Sequence, residues 1–404
     1  MDAYHRRGFL KLTGSMAASA AVVGACGTRT TPTDPDAGGT VKIGLLGFQE
    51  GVFKVLGDDQ RKGFELYLTL NDGKLGGRQV KVIEAEESVD DKATLRNAIR
   101  LIEQEQVTAI VGVTFSSNLV PIIPICQQAK VPLISPYATT LQAQGKDYIW
   151  RTSGLSGYDG YAIAEYVSEQ HKGEGVYILS SDYAAGWDEV VGFKTRFTGE
   201  IAGEEYVPFP NTTDFTPFLS RIKESGAGAL FCFLPADIGV NFIKQFHKYG
   251  LHGKIAFYGA EGMTELPFLA DEGNTASGLM DAFYYSEVLD NAANRTFVSE
   301  YQRAYRQRPW ALPLVAYDAA AVLDIAIASA GRGLTSERLE QEIHNIGIIE
   351  SPRGMWRFAK NRAPVQPYHL RQVRPDGGVL ANVVLELLGS YGDLPLSPAT
   401  GPGR

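Results

Sequence analysis

The chain has 404 residues, 44% of them apolar and 21% charged. That balance excludes a disordered chain or a membrane bundle, and the length allows two domains with full cores. The formal charge is −8, and no Lys/Arg cluster breaks the acidic body, which argues against a nucleic-acid partner because phosphate binding needs a concentrated basic face.

The chain opens on Arg6-Arg7-Gly8-Phe9-Leu10-Lys11, continues through an apolar stretch over residues 12–25 and reaches Cys26. A basic start before an apolar run too short to span a bilayer reads as an export signal. The paired arginines resemble a twin-arginine signal and Val23-Gly24-Ala25-Cys26 resembles a bacterial lipobox, which implies removal of residues 1–25 and lipidation of Cys26. Residues 26–40 hold no apolar side chain large enough to pack and are expected to form a flexible tether.

From Val41 onward apolar strands alternate with amphipathic helices, the grammar of a parallel sheet covered on both faces. Strands are predicted over residues 41–47, 80–85, 107–113 and 131–134, with helices over 59–71 and 92–104 between them. The third strand breaks into Thr114-Phe115-Ser116-Ser117-Asn118, and a helical pattern follows with Pro121 and Pro124 in its early turns. The first N–H groups of such a helix have no partner inside it, so two hydroxyls beside them suit a carboxylate; Ser116 or Ser117 equally suits an N-cap. The fourth strand ends in Ser135-Pro136-Tyr137-Ala138-Thr139-Thr140. Ligands of open α/β sheets bind outside the carboxyl ends of the strands, so both turns should line one crevice.

The pattern restarts after Trp150-Arg151-Thr152. Helices over 158–170, 189–197, 215–224 and 238–249 alternate with strands over 175–179, 205–207, 229–234 and 255–258, whose ends carry Ser180-Ser181-Asp182-Tyr183 and Gly259-Ala260-Glu261-Gly262. After a strand at 279–284 the chain reads as mainly helical (293–306, 316–329 and 336–344), with too few strands for a third sheet. These helices are expected to return to the first sheet. The resulting assignment is two doubly wound parallel-sheet lobes: residues 41–155 with 285–367, and 156–284 with 368–388, joined by three crossovers. Residues 389–404, rich in Pro, Gly and Ser, are expected to form a disordered tail.

No GxSxG elbow, Walker loop, GxGxxG, HExxH or paired CxxC occurs, so neither catalysis nor a metal or other cofactor is expected. Cys126 and Cys232 lie on distant apolar elements and are read as buried free thiols.

With two lobes, an export signal and a serine turn in hand, the sequence resembles a type I periplasmic binding protein, the solute receptor of a branched-chain amino acid ABC importer. The resemblance runs from about Val41 to Leu388. It rests on the order and spacing of Val41-Lys42-Ile43-Gly44, residues 112–117, Leu133 to Thr139, Trp150-Arg151-Thr152, Gly250-Leu251, Tyr258 to Gly262 and Tyr317-Asp318-Ala319. It implies an extracytoplasmic, lipid-anchored receptor that hands a small amino acid to permease and ATPase subunits. By the same resemblance Ser116 and Ser117 hold the ligand carboxylate, while Tyr137 (through its carbonyl), Thr139 and Glu261 hold the ammonium. Tyr183 or Trp187 closes over the ligand. Thr139 as a turn cap, Glu261 as an ion-pair partner, and Tyr183 and Trp187 as packing aromatics remain the alternatives. The position before Gly186, often aromatic in the family, is Ala185, and around Gly57 a first-loop aromatic is replaced by Val55 and Leu56. Asp182 to Gly186, Val207 to Asn211, Glu350 to Gly354 and Pro364-Val365-Gln366 resemble a branch that includes receptors for aromatic carboxylates, so an aromatic acid is the alternative ligand. A sensory receptor without transport is the alternative role.

Overall fold

The structure, a computed structural model, describes residues 39–260, 262–398 and 401. The export signal, Cys26 and Glu261 therefore lie outside the described residues.

The first lobe is built on six strands: β1 (Val41–Gly47), β2 (Lys74–Leu75), β3 (Arg78–Glu86), β4 (Ala109–Val111), β5 (Leu133–Ser135) and β6 (Ile149–Arg151), in spatial order β2-β3-β1-β4-β5-β6. All pairs are parallel except β2 with β3. β1 is buried on both faces, as a central parallel strand must be. One face carries α1 (Lys54–Leu70), α10 (Ala311–Ala330) and α11 (Ser336–Asn345); the other carries α2 (Asp91–Ile99), which runs on into a π-helical turn, and α3 (Ser116–Ala129). α1 and α10 approach so closely that a Cβ on Gly63 would lie 2.0 Å from the Pro313 carbonyl oxygen. α10 is long and apolar enough to cross a membrane, but most of it is buried in this packing.

The second sheet has nine strands, of which the hairpin β12–β13 packs on the first lobe: β7 (Gly175–Ser181), β8 (Glu200–Val207), β9 (Ala229–Phe233), β10 (Ala256–Gly259), β11 (Met280–Phe283), β12 (Ile349–Ser351), β13 (Gly354–Phe358), β14 (Pro364–Asp376) and β15 (Val379–Tyr391). β7 to β11 are parallel, and β14 adds antiparallel to β11 and then to β15. Around this sheet lie α4 (Tyr158–Gln170), α5 (Ala184–Arg196), α6 (Thr216–Glu224), α7 (Ala236–Lys248) and α8 (Leu266–Glu272); α9 (Ala292–Tyr305) returns to α1 in the first lobe.

Three segments cross between the lobes: residues 152–157, residues 284–291, and the start of β14. There Pro364 and Val365 pair with the β12–β13 hairpin, whose Ile349 and Trp356 sit in the first lobe's core, while His369 to Gln372 pair with β11. Arg353 braces this third crossover. Its Nη1 donates to Gln366 Oε1 at 2.6 Å and its Nη2 lies 2.8 Å from Asp318 on α10.

Two expectations need correction. The stretch after residue 284 is not mainly helical, since β12 to β15 form two hairpins and the longest strands of the protein. Nor does the chain fray from residue 389. Gly389 to Tyr391 finish β15, Leu396 is buried, and the Leu394 N–H donates to the Tyr158 hydroxyl at 3.0 Å. Cys126 and Cys232 are free and buried.

A buried charge cluster joins the lobes. Arg371 on β14 donates through Nε to Asp281 at 2.8 Å and through Nη1 to Glu265 at 2.7 Å, all three side chains being almost fully buried. The other oxygen of Glu265 accepts the Ala311 N–H at 3.0 Å, at the start of α10 in the first lobe. Removing one partner of such a cluster leaves uncompensated charge in the interior. Arg371→Ala, which strands two carboxylates, is expected to cost about 3–5 kcal/mol. Urea unfolding checks this, and a loss below about 1 kcal/mol would show that water reaches the cluster.

Candidate functional site

The site begins where β4 ends. Gly112 has φ +140, and a Cβ there would lie 2.2 Å from the Leu46 carbonyl oxygen, so only glycine can make this turn. The Val113 carbonyl accepts the Ala138 N–H at 3.0 Å, which sets the two polar turns side by side. Glu87, fully buried at the end of β3, accepts from Thr114 N–H (2.8 Å), Thr114 Oγ1 (2.7 Å), Phe115 N–H (2.8 Å) and Asn118 Nδ2 (2.9 Å). One carboxylate thus fixes the whole serine turn.

α3 then starts at Ser116, with Phe115 in the N-cap position and no side-chain cap. The two serines are therefore the first two helical residues rather than N-caps, and their N–H groups have no acceptor inside the helix. Ser116 is buried, its Oγ accepting the Thr139 N–H at 3.3 Å, and it faces the cleft. Ser117 is exposed and lies outside the cavity lining, so of the two only Ser116 presents its hydroxyl there. Thr139 is buried, with Oγ1 2.8 Å from Ser156 Oγ. The next residues of the second turn are clamped from the other lobe: Asp188 Oδ2 on α5 accepts from Thr140 Oγ1 at 2.9 Å and from the Leu141 N–H at 2.7 Å.

Beyond these turns the cleft holds two chambers. The larger, about 490 Å³ counting the part open to solvent, is lined from the first lobe by Leu56, Phe115, Ser116 and Tyr137, and from the second by Tyr183, Phe233, Met263 and Phe268. Its walls are largely aromatic. Tyr183 stacks on Phe209, with centroids 4.5 Å apart and planes 16° from parallel, and Phe209 meets Phe115 edge-on at 5.9 Å across the lobe boundary. Phe48 and Phe53 back Phe115 at 4.8 and 4.5 Å. The smaller chamber, about 270 Å³, lies against the crossovers and includes Thr139, Ser153, Asp159 and Tyr284. Tyr137 lines both.

The structure thus brings Ser116, Tyr137, Thr139 and Tyr183 to one cleft. Trp187 is held by a bond from Nε1 to Asp182 at 2.9 Å and is not in the lining, so Tyr183 is the aromatic that faces the chamber. Glu261 lies outside the described residues; its neighbours Gly262 and Met263 line the chamber. Around Gly57 it is Leu56 that meets the cavity, in place of the family's first-loop aromatic, while Phe48 and Phe53 pack on Phe115 and are not in the lining. Sequence reasoning missed Glu87, Phe115, Phe209, Phe233 and Asp159. The nearest signals were the Phe-Ser-Ser order at the turn and the Pro208-Phe209-Pro210 step. Among the described residues no group of three or more His, Cys, Asp or Glu is placed to hold a metal ion.

Comparison with known proteins agrees with the fold. A family model described as periplasmic binding protein matches residues 40–378. A Leu/Ile/Val-binding protein homolog of Brucella suis is 28% identical over 364 residues, covering 87% of this chain and 93% of the relative. The solute-binding protein of an ABC transporter from Rhodopseudomonas palustris BisB5, solved in complex with 3,4-dihydroxybenzoic acid, superposes with a TM-score of 0.82 at 30% identity, covering 88% of this chain and 98% of its own. A leucine-binding protein of Thermotoga maritima shares the fold at 22% identity and a TM-score of 0.75, covering 87% and 99% of the two chains.

Burial pushes the Glu87 carboxyl up to about 7, against the downward pull of its hydrogen-bond donors. An unfolded glutamate titrates near 4.3. Between the two values the folded state keeps a proton that the unfolded state has lost, so this group's contribution is full at low pH and is lost as pH rises through about 7. Glu87→Gln cannot titrate and is expected to flatten the fall in stability between pH 5 and 8, by up to ~3 kcal/mol. Glu272 and Glu287, raised by burial to about 8 and about 7, retain part of the slope. Urea unfolding at both pH values checks this; an unchanged slope would mean that Glu87 stays ionised throughout.

Proposed function

The chain belongs to the periplasmic binding protein family and is an extracytoplasmic solute-binding protein of the Leu/Ile/Val-binding type of ABC transporter; from that premise we propose that its ligand is a small aromatic carboxylate. The supporting observation is the aromatic wall, in which Phe115 of one lobe and Tyr183 and Phe233 of the other line a chamber with the α3 N-terminus at its edge, Phe209 packing on both Phe115 and Tyr183. A flat ring gains from offset or edge-on packing against such walls, beyond the burial of its area. Its carboxylate meets the Ser116 hydroxyl and the first amides of α3, where hydrogen-bond donors and the helix dipole both favour an anion. Rhodopseudomonas palustris relatives solved with benzoate, 4-hydroxybenzoate and 3,4-dihydroxybenzoic acid fit the same reading. Contacts from both lobes then favour the form in which the lobes meet, the form delivered to the permease.

A second reading, an apolar amino acid, draws on Asp159. A buried carboxylate beside Thr139 in the neighbouring chamber suits a ligand ammonium, as Glu261 does by its place in the sequence. Calorimetry with benzoate, 4-hydroxybenzoate, leucine and phenylalanine separates the two. Tight benzoate binding with no heat from either amino acid is the expected result, and the reverse would overturn it. A ligand at a hundred times its dissociation constant should also add ~2.7 kcal/mol to folding stability. Ser116→Ala removes a charge-assisted hydrogen bond of ~1.5–3 kcal/mol, so affinity should fall roughly tenfold to a hundredfold. A lowered melting temperature with unchanged affinity would make Ser116 a purely structural link to Thr139.

The Cys26 lipid anchor belongs to the same reading, supported by the lipobox-like Val23 to Cys26. Acyl chains would supply nearly all bilayer affinity to so acidic a body, so Cys26→Ser should move the protein from the membrane fraction to the soluble one. Sedimentation of the variant with membranes would refute the anchor.

A further inference from the structure

The two chambers lie side by side along the carboxyl ends of the strands. The aromatic one sits over β1, β4 and β5, where Leu56, Phe115 and Tyr137 follow those strands; the smaller sits over β6 and β11, beside Ser153 and Tyr284. They are bridged at their floor by the hydrogen bond from the Thr139 N–H to Ser116 Oγ, one residue lining each. Above that bond a single side chain borders both spaces. The Tyr137 ring stands edge-on to Trp310, with centroids 5.8 Å apart and planes at 75°. Its hydroxyl reaches the strand-end turn of the other lobe, where a Cβ on Gly262 would lie 3.4 Å from it. The ring thus extends from one lobe to the other as a bar across the cleft.

The linings differ in chemistry. The aromatic chamber has no charged side chain among its described residues, whereas the hinge-side chamber brings the buried carboxylate of Asp159 together with the Thr139 and Ser153 hydroxyls. An acid and hydroxyls suit a hydrogen-bond donor at the far end of a ligand, not a second carboxylate.

We propose that the Tyr137 side chain is the specificity-determining partition of this cleft. It holds the ligand to one ring, and behind it lies a second subsite, keyed by Asp159, for the hydrogen-bond-donating end of a longer acid. The inference deepens the aromatic-carboxylate reading and rests on it. The test compares benzoate with the longer 4-hydroxycinnamate by calorimetry, in the unmutated protein, Tyr137→Ala and Tyr137→Phe. Tyr137→Ala joins the chambers and is expected to shift the affinity ratio towards 4-hydroxycinnamate by tenfold or more; Tyr137→Phe keeps the ring and hence the original ratio. Adding Asp159→Asn to Tyr137→Ala should erase most of the gain for 4-hydroxycinnamate while sparing that for unsubstituted cinnamate. A Tyr137→Ala protein that melts cooperatively and binds benzoate with an unshifted ratio would overturn the partition, as would an equal shift in Tyr137→Phe. Equal losses for both cinnamates would overturn the role of Asp159. If the unmutated protein binds amino acids and no aromatic acid, the reading of the ligand fails while the partition is still decided, by the same variants with leucine against tyrosine. Binding of neither pair overturns both.

Discussion

One carboxylate, Glu265, ties the two lobes together. It ends the turn after β10, binds Arg371 with one oxygen and accepts the first amide of α10 with the other, so that a buried ion pair of the second lobe also caps a core helix of the first. Both of its oxygens are thereby matched, which a carboxylate in so dry a place requires. Burial still raises its pKa, the Arg371 guanidinium opposing the shift. The position of α10 sets that of Trp310, whose Nε1 donates to Asp59 on α1 at 2.7 Å, and Trp310 in turn stands against Tyr137 and Phe268 on either side of the cleft. The shape of the chamber thus follows from contacts made outside it.

Within the cleft the electrostatics run in two opposite senses. Glu87 consumes the Thr114 and Phe115 amides, leaving the Ser116 and Ser117 amides as first-turn donors. A second negative charge so close to a bound carboxylate is tolerable because four donors surround Glu87 and because burial favours its neutral form. The aromatic walls add no charge of their own. Discrimination in that chamber therefore falls to shape and to the edge and face preferences of rings, with ion pairing confined to the polar turns.

Much of this was legible in the sequence, because strand-to-turn transitions leave local marks. The ends of β4 and β5 announced themselves through Gly112 and through the two polar turns, and the parallel alternation gave both lobes. Three helix starts were read late, although that of α4, whose Asp159 borders the cleft, was read at Tyr158 where it begins. α1, α5 and α10 begin at Lys54, Ala184 and Ala311, ahead of the periodic patterns predicted from 59, 189 and 316. The opening turn of α10 is buried all round, and that of α5 holds small residues packed at the lobe boundary, so neither shows the one-sided period of a surface helix. β14 was hidden for a different reason. Its inward positions include Arg371, a residue that looks solvent-facing until Asp281 and Glu265 are known to meet it. The aromatic wall was illegible because its members come from turns, a strand end and a short helix scattered between Phe115 and Phe268, and only folding brings them together.

The contacts across the cleft also bear on affinity. Glu265 on Ala311, Asp188 on Thr140 and Leu141, and Phe209 on Phe115 all join the lobes through protein atoms alone. Each favours the form in which the lobes meet whether or not the cleft is filled. Apparent affinity scales with the fraction of protein already in the binding-competent form, so such contacts tighten binding without touching the ligand. The same contacts limit the signal, because a ligand moves the equilibrium only by its differential affinity for the two forms, and a protein that closes empty has nothing left to report. A receptor read by shape needs these protein contacts to be weaker in sum than the cost of closing, with the ligand's ring and carboxylate making up the difference. The balance is set where the lobes touch: by charged hydrogen bonds at Glu265 and Asp188, and by the ring contacts of Phe115 with Phe209 and of Trp310 with Phe268, the first of which a bound ring would extend on the chamber side.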